Sequence, residues 1–181
     1  MGILSLLLWT PMLGVFVLLL IPSQHALWLR LVANLFALFC LVLGVCLLWQ
    51  FDTDNAGLQF SEYFSLDKRL GSSYALGVDG VSMPMLVLAT VLCCIAFLAS
   101  LSLTERVKTY YICLLLLEFG MLGVFLAQDW LLFYIFWEAT LVPLFFLIDR
   151  WGGVRKHAAS LNFVLYTICL LYTSPSPRDA T

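Results

Sequence analysis

Residues Phe133–Phe146 read FYIFWEATLVPLFF, an oily segment that holds one acidic residue, Glu138, and a proline, Pro143, five residues later. The segment lies inside a longer apolar run, residues 130–148, which is long enough to cross a bilayer as a helix. A carboxylate in the middle of such a helix costs at least ~2.5 kcal/mol to insert, so its presence needs a reason. The stretch therefore indicates both a membrane-spanning chain and ionisable chemistry at mid-membrane.

The composition of the whole chain is typical of a membrane protein. Of its 181 residues, 63% are hydrophobic and 11% are charged, whereas a soluble domain carries about 25% charged residues. One soluble core of this size cannot bury so much apolar surface, so most of that surface must face lipid. The net charge of −2 gives no sign of nucleic-acid binding. The six cysteines lie in apolar runs without a CxxC pair, which favours small buried hydrophobes over disulfides or a metal site.

The apolar runs predict an all-α fold, a polytopic membrane helix bundle with five complete transmembrane helices and a truncated sixth. Trp28 and Trp49 bracket the second run, and Trp130 and Trp151 bracket the fifth. The members of each pair are 21 residues apart, which matches the hydrocarbon thickness and suits interfacial anchors. The predicted helices cover residues 3–21, 26–49, 80–101, 109–127, 130–148 and 158–172.

The chain turns polar at residues 173–181, which read TSPSPRDAT. This segment carries two prolines and has the character of a vector- or adapter-derived product, so we expect it to be non-native. The sixth helix is short for a span, and truncation is the simplest explanation. We therefore expect a membrane helix bundle over residues 1–172 that forms the N-terminal part of a longer polytopic chain.

The basic residues predict the orientation of the chain. Cytoplasmic loops carry an excess of lysine and arginine, so the odd-numbered connections are expected in the cytoplasm and the N-terminus on the periplasmic or intermembrane side. The long second connection then faces that same outer side. Its segment FSEYFSLDKRL, residues 60–70, fits an amphipathic element at the interface, a loop or a strand. The basic residues are Arg30, Arg106, Lys108, Arg150, Arg155 and Lys156 in the odd connections, against Lys68 and Arg69 in the even ones.

Two acidic residues fall well inside predicted spans, Glu118 in the fourth and Glu138 in the fifth. The two helices are joined by a tight turn around residues 128–129, so they should be antiparallel neighbours with the two carboxylates about equally far from the turn. If both side chains face inward, they share one level of the bundle. Pro143 has no N–H for the carbonyl of Ala139, which frees an acceptor for water beside Glu138.

These features predict a proton-handling site in which Glu138 and Glu118 transfer protons and Pro143 distorts the helix. An intramembrane carboxyl without a partner takes up a proton, which poises it for uptake and release. The alternative is structural: a protonated carboxyl that only hydrogen-bonds between helices. The two interpretations are balanced for Glu118, whereas the functional one is favoured for Glu138. His25 and His157 lie at helix boundaries rather than facing each other within a span, so a haem-binding bundle has little support.

Two stretches carry a resemblance to a known family: VFLAQDWLLFYIFWEATLVPLFFLIDRWGG, residues 124–153, and LGVDGVSMPMLVLATVL, residues 76–92. They resemble the antiporter-like membrane subunit M of complex I, the proton-pumping NADH:quinone oxidoreductase, which is subunit 4 in mitochondria. The specific part is the F-x-E-x-x-L-x-P core followed by a W-G-G turn. The resemblance implies that Glu138 matches a glutamate that pairs with a lysine on a later, broken helix. It also implies that Glu118 aligns with an acidic residue that some members carry.

The resemblance implies partners as well. These are the other membrane subunits of complex I, the lipid bilayer and the quinone that the complex handles, with flavin and iron–sulfur centres in partner subunits and none in this chain. No lysine lies in any predicted span, so this chain alone is not expected to pump protons. Three functions stay open: a complex I subunit of a bacterial or mitochondrial inner membrane, a large subunit of a multi-subunit Na+/H+ antiporter, and a non-catalytic membrane anchor. The run LVPLFFLIDRWGG, residues 141–153, favours the first and leaves the antiporter as runner-up.

Overall fold

The helices follow the hydrophobic pattern of the sequence. A computed structural model describes residues 2–52, 57–67, 72–153 and 155–172; the polar tail from residue 173 lies outside these ranges. Five of the described helices are long and apolar enough to cross a membrane, and their ends lie within three residues of the expected ones. The elements are α1 (Ile3–Leu20), α2 (Ala26–Gln50), β1 (Gln59–Asp67), β2 (Ser72–Val78), α3 (Ser82–Ala99), a 3₁₀ turn (Ser100–Ser102), α4 (Val107–Leu126), α5 (Trp130–Trp151) and α6 (Lys156–Tyr172).

Helix α4 lies at the centre of the bundle and packs against α1, α2, α3 and α5. Its contact with α5 is made by two glycines. A Cβ added to Gly120 would lie 2.5 Å from Cγ2 of Thr140, and one added to Gly123 would lie 2.2 Å from Cδ1 of Phe136. Small residues matter here because helices in lipid associate by close packing rather than by the hydrophobic effect. The two glycine contacts fix α4 and α5 as antiparallel neighbours in one register.

The long connection between α2 and α3 forms an antiparallel β-hairpin of β1 and β2. Of the three conformations that the sequence allows for FSEYFSLDKRL, the strand is the one observed over residues 60–67, whereas residues 68–70 lie outside the described ranges. Hydrogen bonds from Gln128 connect the hairpin to the helix bundle. Gln128 donates from its backbone N–H to the carbonyl of Ala75 (3.0 Å) and from Nε2 to that of Gly77 (3.1 Å).

Glu62 of the hairpin caps the N-terminus of α1. Its Oε1 accepts hydrogen bonds from the N–H groups of Leu4 (3.0 Å) and Ser5 (3.1 Å). Its Oε2 accepts from the N–H of Gly2 (3.1 Å) and the hydroxyl of Ser5 (2.6 Å). A carboxylate is favourable here because the first N–H groups of a helix lack partners and its dipole is positive at this end.

The opposite end of the bundle is held by donors that reach backbone carbonyls. Lys108 Nζ donates to the carbonyls of Leu19 (2.9 Å) and Ile21 (2.8 Å), which complements the negative C-terminal end of α1. Trp151 Nε1 donates to the carbonyl of Glu105 (3.2 Å). These bonds bring the first, third and fifth connections together at one face of the membrane domain.

The cysteines only partly meet the expectation of small buried hydrophobes. Cys40, Cys93 and Cys113 are buried and Cys94 is half-buried. Cys46 and Cys169 are exposed instead, so for these two the expectation was wrong. Both lie on helix faces that no described element covers. The sequence could not show this, because a cysteine in a uniformly apolar run does not reveal which face of the helix it occupies.

Candidate functional site

Glu118 lies inside the bundle, near the middle of α4. Its side chain is 0% exposed, and both carboxyl oxygens lack a hydrogen-bond partner of normal geometry among the described residues. The thiols of Cys40 on α2 and Cys93 on α3 are the groups that interact electrostatically with it. A buried polar group without a partner is costly, so this carboxyl is held in an environment that disfavours its charged form.

Glu138 lies near the middle of α5 on an exposed face. Leu131, Ile135 and Val142 are exposed along the same face, at 49%, 51% and 59%. The spacing of these residues and Glu138, four, three and four, is that of one helical stripe. Glu138 is thus an acidic residue on an apolar stripe that the described elements leave uncovered.

The two carboxylates point away from each other. Glu118 precedes Gly120 by two residues, and Glu138 precedes Thr140 by two, and Gly120 and Thr140 are the pair at which α4 and α5 touch. Two residues rotate an α-helix by ~200°, so each carboxylate projects from the side opposite the contact. The shared level depended on both side chains facing inward, and this condition is met by Glu118 but not by Glu138.

The depth of the two acids also differs from the expectation of a shared level. The glycine contacts place Glu118 opposite residues 141–142 of α5, whereas Glu138 lies about one helical turn away, ~5 Å along the axis. The difference arises because the two helices are not paired symmetrically about residues 128–129. A count of residues from the turn cannot detect such an offset.

Pro143 is buried on the side of α5 that faces the bundle. The helix continues through it from Trp130 to Trp151. Pro143 shares the stripe of Phe136 and Thr140, so it lies on the α4 side of the helix rather than beside the exposed Glu138. Its missing N–H still removes the normal donor for the carbonyl of Ala139. A side chain also hydrogen-bonds to the helix backbone nearby: Thr140 Oγ1 donates to the carbonyl of Trp137 (2.7 Å).

Two residues near Glu118 were not singled out in the sequence as part of a site. Cys40 and Cys93 were assigned to general packing, yet they belong to the walls that close around the carboxyl. Both lie near the middle of their helices, so the depth count that located the two glutamates would also have located them. Their direction around the helix, however, required the packing of α2 and α3 on α4.

A protein-family model matches the C-terminal part of the described chain. A model of the family described as "NADH:quinone oxidoreductase/Mrp antiporter, TM" matches residues 127–170. The matched range includes α5 with Glu138 and Pro143, and the first part of α6. Its description covers both the complex I reading and the antiporter reading of the sequence.

Curated relatives and a solved structure extend the match over most of the chain. NAD(P)H-quinone oxidoreductase chain 4 1 of Picosynechococcus sp. is 38% identical over 158 residues, which cover 87% of this chain and 30% of that protein. NADH-ubiquinone oxidoreductase chain 4 of Chondrus crispus is 39% identical, covering 88% of this chain and 33% of that protein. Respiratory complex I from Thermus thermophilus contains a chain that matches with a TM-score of 0.76 at 28% identity, covering 92% of this chain and 33% of that one.

The chain thus spans about a third of the length of the curated relatives it matches. These relatives are named as oxidoreductase chains, and the antiporter alternative is not favoured by them. The chain therefore belongs to the family of antiporter-like membrane subunits known as subunit M or chain 4 of NADH:quinone oxidoreductases.

Proposed function

We propose that this chain forms part of a proton-translocating membrane subunit of NADH:quinone oxidoreductase, with Glu138 as its principal proton-transfer residue. The observation that carries the proposal is the position of Glu138 in the middle of an apolar, uncovered stripe of α5. A carboxylate left facing lipid at this depth costs at least ~2.5 kcal/mol. We therefore expect another helix to pack on this stripe and to bring water or a cation to the Glu138 carboxylate.

The uncovered stripe fits a chain that matches only a third of its relatives' length. The remaining two thirds of such a protein can supply the helix that packs on Leu131, Ile135 and Val142. The family resemblance implies a lysine on that helix as the partner of Glu138. A cation at this position stabilises the carboxylate, and neutralising either partner shifts the proton equilibrium of the other.

Glu118 serves in this proposal as a second, internal proton acceptor. It faces α2 and α3 and is separated from Glu138 by the α4–α5 contact, so the two acids do not exchange a proton directly. A proton reaching Glu118 must pass through water between α2, α3 and α4. Pro143 contributes by leaving the carbonyl of Ala139 without its helical donor, which offers water an acceptor within α5.

We further propose that the chain works beside other membrane subunits of complex I, with quinone chemistry, flavin and iron–sulfur centres located elsewhere in the complex. Its own contribution is proton translocation without redox chemistry. We also propose that the N-terminus lies on the periplasmic or intermembrane side, since the excess of lysine and arginine in the connections at the other face favours a cytoplasmic location for that face.

The test uses the full-length protein in its complex. Glu138→Gln keeps the size of the side chain and removes its charge, whereas Glu138→Asp keeps the charge and shortens the reach. Proton pumping and quinone reductase activity are measured in membrane vesicles. Glu138→Gln is expected to remove most of the pumping, and Glu138→Asp to retain part of it.

Glu105→Gln is the matched control, because Glu105 is an exposed glutamate in the connection before α4. It should pump as the wild type does. Wild-type pumping by Glu138→Gln, with the subunit present in normal amount, would refute the proton-transfer role and favour a structural one.

A further inference from the structure

A groove runs along the outer surface between α2 and α3. It has a volume of about 770 Å³. Its walls are apolar over most of their length, and the leucines that form them are exposed, among them Leu31 (52%), Leu35 (55%) and Leu98 (54%). The residues that line it are Leu27, Trp28, Arg30, Leu31, Asn34, Leu35, Leu38, Cys94, Leu98 and Leu101.

Arg30 closes one end of this groove. One guanidinium nitrogen, Nη2, donates to the carbonyl of Leu103 (2.7 Å). Its Nε is buried and has no hydrogen-bond partner among the described residues. The ion pair found in the described part of the chain joins His157 and Asp149, so no described carboxylate neutralises Arg30.

The depth of Arg30 is that of a lipid headgroup boundary. It is the fifth residue of α2, a helix of 25 residues, which is ~37 Å long and exceeds the ~30 Å hydrocarbon core. Arg30 therefore lies a few ångströms from the edge of the core, within the reach of a snorkelling side chain. Trp28 is 63% exposed and lies two residues nearer the helix end, where an interfacial tryptophan belongs.

We propose that the α2–α3 groove is a binding site for an anionic phospholipid. One acyl chain lies along Leu31, Leu35 and Leu98, and the phosphodiester accepts hydrogen bonds from Arg30. The guanidinium is suited to this because its planar fork matches phosphate geometry and is already fixed in place by the Leu103 carbonyl. Basic pockets between spanning helices on the positively charged side of membrane proteins favour anionic lipids for the same electrostatic reason.

The experiment uses the full-length protein in its purified complex, reconstituted with phosphatidylcholine and a minor fraction of phosphatidylglycerol. The phosphatidylglycerol retained after mild detergent washing is measured by mass spectrometry. Arg30→Gln should weaken phosphatidylglycerol binding at this site about tenfold, as expected for one charge-assisted contact, so that about one phosphatidylglycerol fewer is retained per complex while phosphatidylcholine is unchanged. Arg155→Gln removes an exposed charge outside the groove and should retain phosphatidylglycerol as the wild type does.

Leu98→Trp fills the groove while leaving Arg30 and all charges in place, so it provides a second test if Arg30→Gln does not fold. It should also lower phosphatidylglycerol retention. Equal retention by Arg30→Gln and Arg155→Gln would overturn the proposal. Retention unaffected by Leu98→Trp would overturn it as well, because the lipid would then not occupy the groove.

Discussion

Glu118 and Glu138 are the same residue type, both near the middle of a membrane-spanning helix, yet they occupy opposite environments. Glu118 is enclosed by α2, α3 and α4 without a hydrogen-bond partner of normal geometry among the described residues. Glu138 stands on the uncovered stripe of α5. Both arrangements follow from the rotation of α4 and α5 at the Gly120–Thr140 contact. The depth of a carboxyl in the membrane marks it as a candidate proton site. The rotation of its helix then decides which neighbours surround that carboxyl.

The largest effect is expected from breaking the contact that orients both acids. In Gly123→Leu, the new side chain would begin 2.2 Å from the ring of Phe136, which lies on the facing helix. Overpacking of this kind costs ~1–3 kcal/mol or more, and here it also displaces α5 and Glu138 with it. We expect little assembled subunit, measured by native gel electrophoresis and immunoblotting of solubilised membranes.

Gly153→Ala is the control for that change, because a Cβ at Gly153 meets nothing within 4 Å. It should assemble normally. Normal assembly of Gly123→Leu would show that α4 and α5 can separate, and the orientation of the two acids would then need another cause.

A smaller effect of opposite sign is expected at Glu118. In Glu118→Met an apolar side chain replaces two buried oxygens that have no hydrogen-bond partner of normal geometry among the described residues. The free energy of unfolding of the purified full-length complex should therefore rise by about 1 kcal/mol. Leu114→Met, a volume-conserving change one turn away on α4, should leave stability unchanged or slightly lower. A loss of stability in Glu118→Met would mean that the carboxyl has a partner such as water.

Glu118→Gln tests whether Glu118 contributes less to proton pumping than Glu138 does. It preserves shape and removes proton transfer, and we expect partial loss of pumping at most, measured in the same vesicles as Glu138→Gln. If Glu118→Gln removed as much pumping as Glu138→Gln, the ranking of the two acids would be reversed.

The smallest effect is expected at Glu62, whose carboxylate accepts hydrogen bonds from the first residues of α1. Partial burial opposes its ionisation, but hydrogen bonds from Ser5, Gly2 and Leu4 outweigh this and hold the pKa of the Glu62 carboxyl below its usual value. Its contribution to stability is therefore present above the unfolded pKa, ~4.3, and is lost as pH falls through the lower folded value.

We expect a few-fold loss of amide protection at the start of α1 when the pH is lowered past that range. Hydrogen–deuterium exchange of the full-length protein, corrected for the intrinsic pH dependence, measures it. Glu62→Gln should lose protection already at neutral pH and change little on acidification. An identical pH response in both proteins would exclude Glu62 as the cause.

The number and extent of the spanning helices could be read from the sequence because each needs ~20 apolar residues, whatever its neighbours are. Glu118 and Glu138 were found in the same way, as charges within those runs. The hairpin was left open among three conformations because FSEYFSLDKRL is neither long enough nor periodic enough to decide. The α4–α5 register was misjudged because it is determined by Gly120 and Gly123, and glycines give no signal in a hydrophobicity pattern.

The sequence by itself determined that this chain crosses a membrane, which residues are carboxylates at mid-membrane, and which family it resembles, since these depend on local composition and on short motifs. Only the tertiary structure decided that Glu118 faces inward, that Glu138 faces outward, and that Arg30 closes a groove between α2 and α3. These last properties depend on how helices rotate against one another. That rotation is set by close contacts between distant residues, which no single stretch of sequence contains.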